Sequence, residues 1–475
     1  MYDVILVGAG VIGSMTAREL SRYELRVCLL EKENDVAMGA SRANSGIVHG
    51  GFDPKPGTLK AKLNTAGIPK LYQAAKELSV PCVQNGSLVL AFGEKEEETL
   101  KALYERGREN GITAMKLLSG DEARRLEPNL SEDVTMALSA YEAGIICPYA
   151  LTIAACGNAM DNGVELKRNF EVTEIRSGDH FTVKSRSGET VEGKYLVNCA
   201  GLYADTVAAL AGDGFFTLHP RSGEYLLLDK TEGDMVSHTI FQVPSAMGKG
   251  ILVTPTCDGN LMLGPTATDL TDKEDKDTTF AGLEQVRTLA KKSVPGVQTK
   301  KVITSFTGLR AVEEHGDFII RWSDQVPGLL HLAAIDSPGL TCSAAIAESA
   351  VRLIGEKLAL KPNPAFTPFR RDSKAFRKMS EEEQDAFIKE NPAYGHIVCR
   401  CETVSEGEIR EAIRQNPPAW DVDGVKRRTR SGMGRCQGGF CAPTVMQLLS
   451  EELHIPMEEV TKRGKGSEML RKEEP

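Results

Sequence analysis

Four of the 11 cysteines lie in two close pairs near the C-terminus. The first pair is Cys399 and Cys401, and the second is Cys436 and Cys441. Four thiolates can bind zinc or an iron–sulfur cluster. Only one residue lies between Cys399 and Cys401, so the two thiolates could bind the same tetrahedral zinc ion only with strain. The spacing therefore favours an iron–sulfur cluster, with zinc and unligated thiols as the alternatives.

A second group of residues suited to chemistry lies at the N-terminus, where Gly8, Gly10 and Gly13 form a Gly-x-Gly-x-x-Gly turn. These glycines allow a tight turn, close approach of the backbone to a pyrophosphate, and close packing of a helix on a strand. Glu31 can accept hydrogen bonds from ribose hydroxyls, and its charge disfavours a 2′-phosphate. Three predicted elements must position the glycines and Glu31: a strand at 2–7, a helix at 14–21 and a second strand at 26–30.

Further segments combine small residues with turns that follow apolar strands. The first covers residues 38–51, and the others follow strands near 196 and 328. Small residues allow close approach to a flat ring, and a helix that begins near 342 directs its N-terminus at negative charge. We expect these segments to contact the cofactor through Ser41, Arg42, Asn44, Ser45, Gly46, Ala200, Gly201, Gly339, Leu340 and Thr341.

With these motifs, residues 1–365 resemble the FAD-dependent oxidoreductases of the D-amino-acid-oxidase and glycerol-3-phosphate-dehydrogenase superfamily. The resemblance implies bound FAD and an α/β fold. In that fold a Rossmann-like FAD-binding domain carries an inserted α+β substrate domain with a mixed or antiparallel sheet. The implied segments are 1–80, 146–214 and 325–365 for the FAD-binding domain, and 81–145 and 216–324 for the substrate domain.

The C-terminal cysteine pattern resembles the bacterioferritin-associated-ferredoxin-like [2Fe–2S] domain, which implies a small helical domain at 396–455. A linker at 366–395 would precede it, and a tail at 456–475 would follow. Ser405 and Glu408 have the spacing of a capping box that opens a helix. The basic run 426–430 could offset the charge of the cluster, dock an acidic partner, or form a solvated helix face.

Basic residues in turn contexts are candidates for a substrate anchor. Related enzymes place an arginine like Arg310 near the flavin to hold a carboxylate or phosphate, a role that suits its bidentate guanidinium. A surface ion pair with a neighbouring glutamate is the alternative for Arg310. Arg221 and Lys60 are further candidates for substrate binding.

His49 is the candidate catalytic base, because it follows the segment expected to run along the flavin. A neutral imidazole there could take a hydroxyl proton while a hydride moves to the flavin. His219 and His315 are possible replacements. The alternative for His49 is a histidine that only contacts the flavin or packs in the core.

The combination of domains resembles the catalytic subunit of anaerobic glycerol-3-phosphate dehydrogenases. Those enzymes commonly have Arg-Pro where this chain has Arg310 and Ala311. Local motifs around 44–61, 221–225 and 264–267 are instead similar to L-2-hydroxyglutarate oxidases. An amino-acid dehydrogenase and a non-catalytic electron-transfer subunit are further alternatives. In each case the implied cofactors are FAD and a [2Fe–2S] cluster.

The net charge of −9 argues against binding to nucleic acid. No apolar run reaches the roughly 18 residues that span a bilayer, and no signal peptide is recognisable. We therefore expect a cytoplasmic protein whose thiols stay reduced, with any membrane contact made through a partner. The expected partners are a small anionic hydroxy substrate and a protein subunit that accepts electrons.

Overall fold

The computed structural model of the chain describes residues 1–244 and 250–471. Parts of two predicted ranges, 245–249 in the substrate domain and 472–475 in the tail, lie outside the described residues. The strands are β1 Tyr2–Val7, β2 Val27–Leu30, β3 Ile47–Val48, β4 Cys82–Val83, β5 Ser87–Ala91, β6 Met115–Ser119, β7 Met136–Ala140, β8 Gly144–Ile146, β9 Glu165–Lys167, β10 Val172–Arg176, β11 Phe181–Ser185, β12 Thr190–Asn198, β13 His219–Leu228, β14 Thr239–Gln242, β15 Leu252–Pro255, β16 Leu261–Gly264, β17 Thr268–Asp269, β18 Val302–Val312, β19 Ile319–Trp322, β20 Leu329–Ala333, β21 Ile397–Cys399 and β22 Val404–Ser405. The α-helices are α1 Val11–Leu20, α2 Leu59–Glu77, α3 Glu94–Glu109, α4 Gly120–Leu126, α5 Pro148–Asp161, α6 Ala204–Leu210, α7 Phe280–Ser293, α8 Gly339–Gly355, α9 Glu381–Glu390, α10 Glu406–Arg414, α11 Val422–Thr429 and α12 Ala442–Leu453.

The first sheet has the order β10-β11-β12-β1-β2-β9, with β20 paired to β12 and β19 to β20. Its centre is parallel, because β1 pairs with both β2 and β12, and β12 pairs with β20, in that sense. Helix α1 packs on α5 and α8, and α2 packs on α8. Layers on both faces explain why β1 and β2 are apolar runs rather than alternating ones. The predicted Rossmann-like α/β architecture is confirmed.

The second sheet has the order β17-β13-β16-β15-β14-β5-β7-β6, and β18 pairs with the other edge of β13. It is mixed, since β14 and β5 are parallel while the other neighbours are antiparallel. Its strands come from the ranges 81–145 and 216–324, which the sequence assigns to the substrate domain. The domain boundaries themselves stay predictions.

One strand departs from the expected division of the chain. β19 lies inside the range 216–324, yet it pairs antiparallel with β20 and so belongs to the first sheet. The pairing is favoured because β19 follows the end of β18 closely and leads directly into β20, where Ile320 packs against the core. A small sheet of β3, β8 and β4 lies beside these two larger ones.

The C-terminal domain consists of the β21–β22 hairpin and helices α10, α11 and α12. Its own core includes Val404, Ile409, Val425 and Leu449. The predicted capping box is confirmed at the start of α10. There, the hydroxyl of Ser405 accepts from the Glu408 backbone N–H, while the Glu408 carboxylate accepts from the Ser405 backbone N–H. The domain is therefore the small helical unit that the sequence predicts.

The basic run 426–430 is not a solvated helix face. Arg427, Arg428 and Arg430 are only 5 to 6% exposed and reach carboxylates of the other two domains. Arg430 donates to Asp258 at 2.8 Å and to Glu402 at 2.7 Å. Buried charges need such partners, so the run holds the C-terminal domain against the rest of the chain.

Candidate functional site

A cavity of about 950 Å³ lies between the first and second sheets. Its walls include the turn after β1, the segment 38–47, the turns after β12 and β20, and inward-facing parts of β13 and β18. The carboxyl ends of the parallel strands therefore open into it, as is usual for ligand sites in such sheets.

The glycine turn brings the backbone to the edge of this cavity. Gly8 has φ +108°, and a Cβ there would lie 2.6 Å from the carbonyl oxygen of Cys199. Gly13 does not line the cavity, because it packs α1 on the turn, and a Cβ there would come within 1.9 Å of the Gly8 oxygen. At Gly10 a Cβ would approach the hydroxyl of Ser41 at 3.2 Å.

Glu31 follows β2 at the same edge. Its carboxylate accepts hydrogen bonds from the backbone N–H of Ala9 at 2.8 Å and of Glu33 at 3.0 Å. Burial raises the pKa of Glu31 to about 7 despite these two donors. The carboxylate is thus fixed beside the glycine turn, where a ribose would meet it.

The segment that carries Ser41 and Arg42 lies across the glycine turn. The Ser41 hydroxyl accepts from the Val11 backbone N–H at 2.8 Å, which connects this segment to the start of α1. Asn44 shapes the segment, since its side-chain oxygen accepts from the Gly46 N–H at 2.8 Å. The predicted cofactor-contacting residues that line the cavity are Gly8, Gly10, Glu31, Ser41, Arg42, Asn44, Ser45, Gly46, Ala200, Gly201, Gly339 and Leu340.

Thr341, like Gly13, is a predicted cofactor contact that does not line the cavity. It is buried, and its hydroxyl accepts from the His49 backbone N–H at 2.9 Å and donates to the Ile47 oxygen at 3.2 Å. Thr341 therefore positions the backbone that carries His49, and its contact with the cofactor stays a prediction.

These residues suit a bound dinucleotide. The cradle is formed by a glycine at positive φ, a helix N-terminus and a carboxylate at the end of the second strand, and each has a known part in binding such a group. Because side chains at Gly8 and Gly13 would collide with backbone atoms, the cradle requires glycine there. The adjoining cavity extends to the second sheet and has room for the remainder of the cofactor and a substrate.

The two arginine candidates lie opposite one another in the second sheet, not in turns as the sequence suggests. Arg221 in β13 pairs in register with Arg310 in β18, and both line the cavity. Arg221 forms an ion pair with Asp269 at 2.5 Å. Arg310 donates to the Thr266 carbonyl at 3.2 Å, and no carboxylate of the described part of the chain lies within ion-pair distance of it. Arg310 is therefore the better placed of the two to hold an anion.

Two glycines that the sequence analysis did not single out make room for this arrangement. A Cβ at Gly223 would lie 2.6 Å from the guanidinium of Arg310. A Cβ at Gly308 would lie 1.9 Å from the Ala43 oxygen, so β18 touches the cofactor-binding segment directly. The signal was present, since each glycine interrupts an apolar strand, where it often marks close approach of another group.

His49 and Lys60 both line the cavity, near the turn after β20. The imidazole Nε2 of His49 lies 3.3 Å from the Ser337 hydroxyl. Lys60 forms an ion pair with Asp336 at 2.5 Å, so its charge is already matched. The replacements, His219 and His315, do not line the cavity, and the side chain of His315 is 90% exposed.

The four cysteines come together in two pairs. Cys401 Sγ and Cys436 Sγ are 3.6 Å apart. The Cys441 thiol hydrogen-bonds to Cys399, which lowers the pKa of the Cys399 thiol to about 5. Cys399 and Cys441 are buried, while Cys401 is exposed. One side of the group therefore faces the interior and the other faces solvent.

This pairing bears on the two metal alternatives. Within residues 1–244 and 250–471, no group of three or more His, Cys, Asp or Glu side chains is arranged to hold a metal ion. In a [2Fe–2S] cluster each iron takes two protein ligands, so two pairs of thiolates suit it. The residues fit the cluster better than they fit zinc.

Within residues 1–244 and 250–471, no helix has the length and apolar character needed to cross a bilayer.

Comparison with known families accounts for both sites. Residues 3–353 match the family described as FAD dependent oxidoreductase, and residues 397–451 match the BFD-like [2Fe-2S] binding domain. The chain belongs to the FAD-dependent oxidoreductases and carries a [2Fe–2S] domain at its C-terminus. Its cofactors are FAD and a [2Fe–2S] cluster.

The chain is also similar to individual enzymes of known activity. A glycerol 3-phosphate dehydrogenase of Caloramator mitchellensis is 45% identical over 473 residues, which cover 99% of this chain and 98% of that protein. An L-2-hydroxyglutarate dehydrogenase of Nematostella vectensis is 29% identical, covering 75% of this chain and 90% of its own. The structure of L-alpha-glycerophosphate oxidase from Mycoplasma pneumoniae with FAD bound superimposes with a TM-score of 0.74 at 35% identity, covering 78% of this chain and 98% of that one.

Proposed function

We propose that the chain oxidises glycerol 3-phosphate to dihydroxyacetone phosphate. The observation that carries this proposal is the similarity to a glycerol 3-phosphate dehydrogenase along 99% of the chain, which includes both the FAD-binding part and the [2Fe–2S] domain. Bound FAD supplies the acceptor for a hydride, and the cluster takes electrons one at a time.

The residues of the cavity have separate tasks in this reaction. Arg310 holds the phosphate, because its guanidinium has no carboxylate partner in the described part of the chain and can donate in bidentate fashion. His49 takes the proton of the substrate hydroxyl at Nε2, and Ser337 orients the ring. As His49 takes the proton from the hydroxyl oxygen, a hydride leaves the carbon that bears this hydroxyl and the carbonyl of the product forms; bound FAD would accept the hydride.

Electrons leave the chain through the C-terminal domain to a separate acceptor protein. Cys401 is exposed, and the neighbouring Phe440 has a side chain that is 86% exposed. An electron-transfer partner can therefore approach the cluster closely without any change in the fold. We expect any association with a membrane to be made through such a partner.

Anaerobic visible spectroscopy tests the substrate. The holoenzyme is titrated with glycerol 3-phosphate and, separately, with L-2-hydroxyglutarate, and the flavin band is followed. Bleaching by glycerol 3-phosphate is expected, and its loss in Arg310→Met at the same concentrations would place the phosphate on Arg310. If only L-2-hydroxyglutarate bleaches the band, the proposal is wrong.

L-2-Hydroxyglutarate is the second candidate because of the sequence around the anion-binding arginine. Ala311 follows Arg310 where anaerobic glycerol-3-phosphate dehydrogenases commonly have proline. The similarity to L-2-hydroxyglutarate dehydrogenases supports the same candidate. A carboxylate would bind Arg310 through the same donors as a phosphate, so the arginine alone does not decide between them.

A further inference from the structure

A second cavity, of about 280 Å³, lies where segment 42–46 meets β15 and β16 of the second sheet and α11 of the [2Fe–2S] domain. We call it the junction cavity. Four residues of this segment, Arg42, Asn44, Ser45 and Gly46, line both this cavity and the active-site cavity. Its apolar wall includes Ile146, Leu227, Met262, Phe306 and Met433. The volume suits a small metabolite and is too small for a nucleotide.

Three cationic side chains line one end of the junction cavity. Arg427 is 6% exposed, and its Nε has no hydrogen-bond partner, although its Nη2 donates to Asp35 at 2.6 Å. No carboxylate among the described residues lies within ion-pair distance of Arg42 or Lys426. The Arg427 Nε itself has almost no accessible surface, so a ligand in the cavity would meet Arg42 and Lys426 instead.

The surrounding carboxylates do not balance these charges. Asp423 lines the cavity but is paired with Lys462 at 2.9 Å. Asp258 also lines it and is paired with Lys374 at 2.9 Å and with Arg430 at 2.8 Å. Neither of these two carboxylates forms an ion pair with Arg42 or Lys426.

The surroundings lower the pKa of both Arg42 and Lys426. Burial lowers the pKa of Arg42, and the nearby charge of Arg427 lowers it further, as does Arg463, while Asp423 and Glu33 oppose the change. Burial likewise lowers the pKa of Lys426, opposed by the charge of Asp423 and assisted by Lys462, Arg427 and Arg42. These cations repel one another across the interface between the FAD-binding part and the [2Fe–2S] domain.

We propose that the junction cavity binds a small phosphate-type dianion through the guanidinium of Arg42 and the ammonium of Lys426, beside Arg427. A dianion would supply the counter-charge that Arg42 and Lys426 lack among the described residues. Because Arg42 belongs to the cofactor-binding segment and Lys426 belongs to α11, the anion would bridge the two domains. The proposal holds whichever substrate the active site takes.

The test uses the holoenzyme with FAD and cluster bound, and inorganic phosphate as the probe. Thermal unfolding and calorimetric titration are compared between phosphate and chloride at equal ionic strength. Saturable binding of phosphate with a rise in Tm is expected, because a ligand of the folded state stabilises it. A response equal to that of chloride overturns the proposal.

Variants locate the anion. Lys426→Gln is expected to weaken phosphate binding by about tenfold or more, because a charge-assisted hydrogen bond is lost. Lys426→Arg, which keeps the charge, is expected to retain it. Lys389→Gln is the matched control, since Lys389 is a lysine with a 74% exposed side chain on α9. Unchanged phosphate affinity in Lys426→Gln overturns the proposal.

The active site could also take up phosphate, so Arg310→Met serves as a second control. If Arg310→Met abolishes phosphate binding while Lys426→Gln retains it, the anion lies in the active site and the proposal is wrong. A comparison of inorganic phosphate with glycerol 2-phosphate then identifies the source of the anion. Tighter binding of the ester that depends on Lys426 indicates a phosphorylated metabolite, and equal or weaker binding indicates free phosphate.

Discussion

Arg428 of the [2Fe–2S] domain donates two hydrogen bonds of 2.8 Å, one to each carboxylate oxygen of Asp35 in the FAD-binding domain. Both side chains are 1% exposed. Arg427 adds a third bond to the same carboxylate at 2.6 Å. A bidentate contact of this kind between domains fixes orientation as well as distance. The [2Fe–2S] domain is therefore docked on the FAD-binding domain, not loosely tethered to it.

Asp35→Asn should destabilise the chain by about 3–5 kcal/mol, because it leaves two buried guanidinium groups without their counter-charge. Chemical denaturation measures the free energy of unfolding. The matched control is Asp385→Asn, which removes an exposed partner of Lys389 and should change this free energy by less than about 0.5 kcal/mol. Equal effects of the two substitutions would contradict the docking role.

The same pair predicts how stability depends on pH. Burial alone would raise the pKa of Asp35, but the charges and hydrogen bonds of Arg428 and Arg427 outweigh it and hold the pKa well below its ordinary range. The contribution is therefore complete above the unfolded pKa of about 3.9 and is lost as the pH falls below that value. In Asp35→Asn the free energy of unfolding should therefore fall less steeply at acid pH than in the unmodified protein. An equally steep fall would contradict this role of Asp35.

Glu31 should make FAD affinity depend on pH. Its pKa is about 7 in the structure because of burial, and only the ionised carboxylate can accept from both ribose hydroxyls. Affinity for FAD should therefore rise as the pH rises through about 7. Quenching of flavin fluorescence in the apoprotein measures it, and Glu31→Gln should abolish the dependence, whereas Glu24→Gln, at an exposed position, should not.

Glu31 should also affect the stability of the apoprotein, in the opposite direction. A folded pKa above the unfolded value means that stability is fully present below about pH 4.3 and is lost as the pH rises toward 7. Thermal unfolding of the apoprotein across this range measures the effect. A rise in stability over the same window that Glu31→Gln removes would show that the carboxyl is not buried as described.

The two arginines of the second sheet should differ in their effect on substrate binding. Arg310→Met should raise the substrate Kd by about tenfold to a hundredfold, because a charge-assisted contact is lost. Arg221→Met should have a smaller effect, since Arg221 is paired with Asp269. Titration of flavin absorbance measures both, with FAD content as the control, and a larger effect of Arg221→Met would reverse the assignment.

His49→Asn should slow reduction of the flavin by substrate by about 10²–10⁴-fold while FAD stays bound, as expected for loss of a general base. Anaerobic stopped-flow absorbance measures this step before any electron leaves the chain. Ser337→Ala should slow it less and should also shift its pH profile, because Ser337 contacts the imidazole Nε2. A normal rate in His49→Asn would remove His49 from the chemistry.

The two cofactor sites should be separable. Cys436→Ser should abolish the electron paramagnetic resonance signal of the reduced cluster, while substrate still bleaches the flavin. Cys257→Ser is the control, because Cys257 lies outside the group of four cysteines. Loss of flavin bleaching in Cys436→Ser as well would mean that the active site depends on an intact [2Fe–2S] domain.

Local sequence patterns were enough to predict the glycine turn, the strand ending at Glu31 and the capping box at Ser405, because each depends on neighbours a few residues away. The [2Fe–2S] domain could also be predicted, because the spacing of its four cysteines is distinctive. The position of β19 could not, because its partner β20 is chosen by packing of the first sheet. Local pattern also gave no sign of the hydrogen bonds between the Thr341 hydroxyl and backbone groups far away in the chain.

The ion-pair partners of the charged side chains could not be predicted from the sequence either. Nothing near Arg221 or Lys60 indicates that Asp269 and Asp336 neutralise them, because each ion pair forms between separate elements. The basic run 426–430 looks solvent-exposed in isolation. It is buried because Asp35, nearly four hundred residues earlier, and Asp258 lie against it.

The active-site cavity takes residues from both the first turn of the chain and the start of α8. A growing polypeptide that has not yet reached residue 340 consequently lacks part of the wall. A shorter chain would leave the cavity open on the side of α8, and we expect it to bind FAD more weakly than the full chain. We therefore expect the yellow colour of bound flavin only in chains that extend past residue 340.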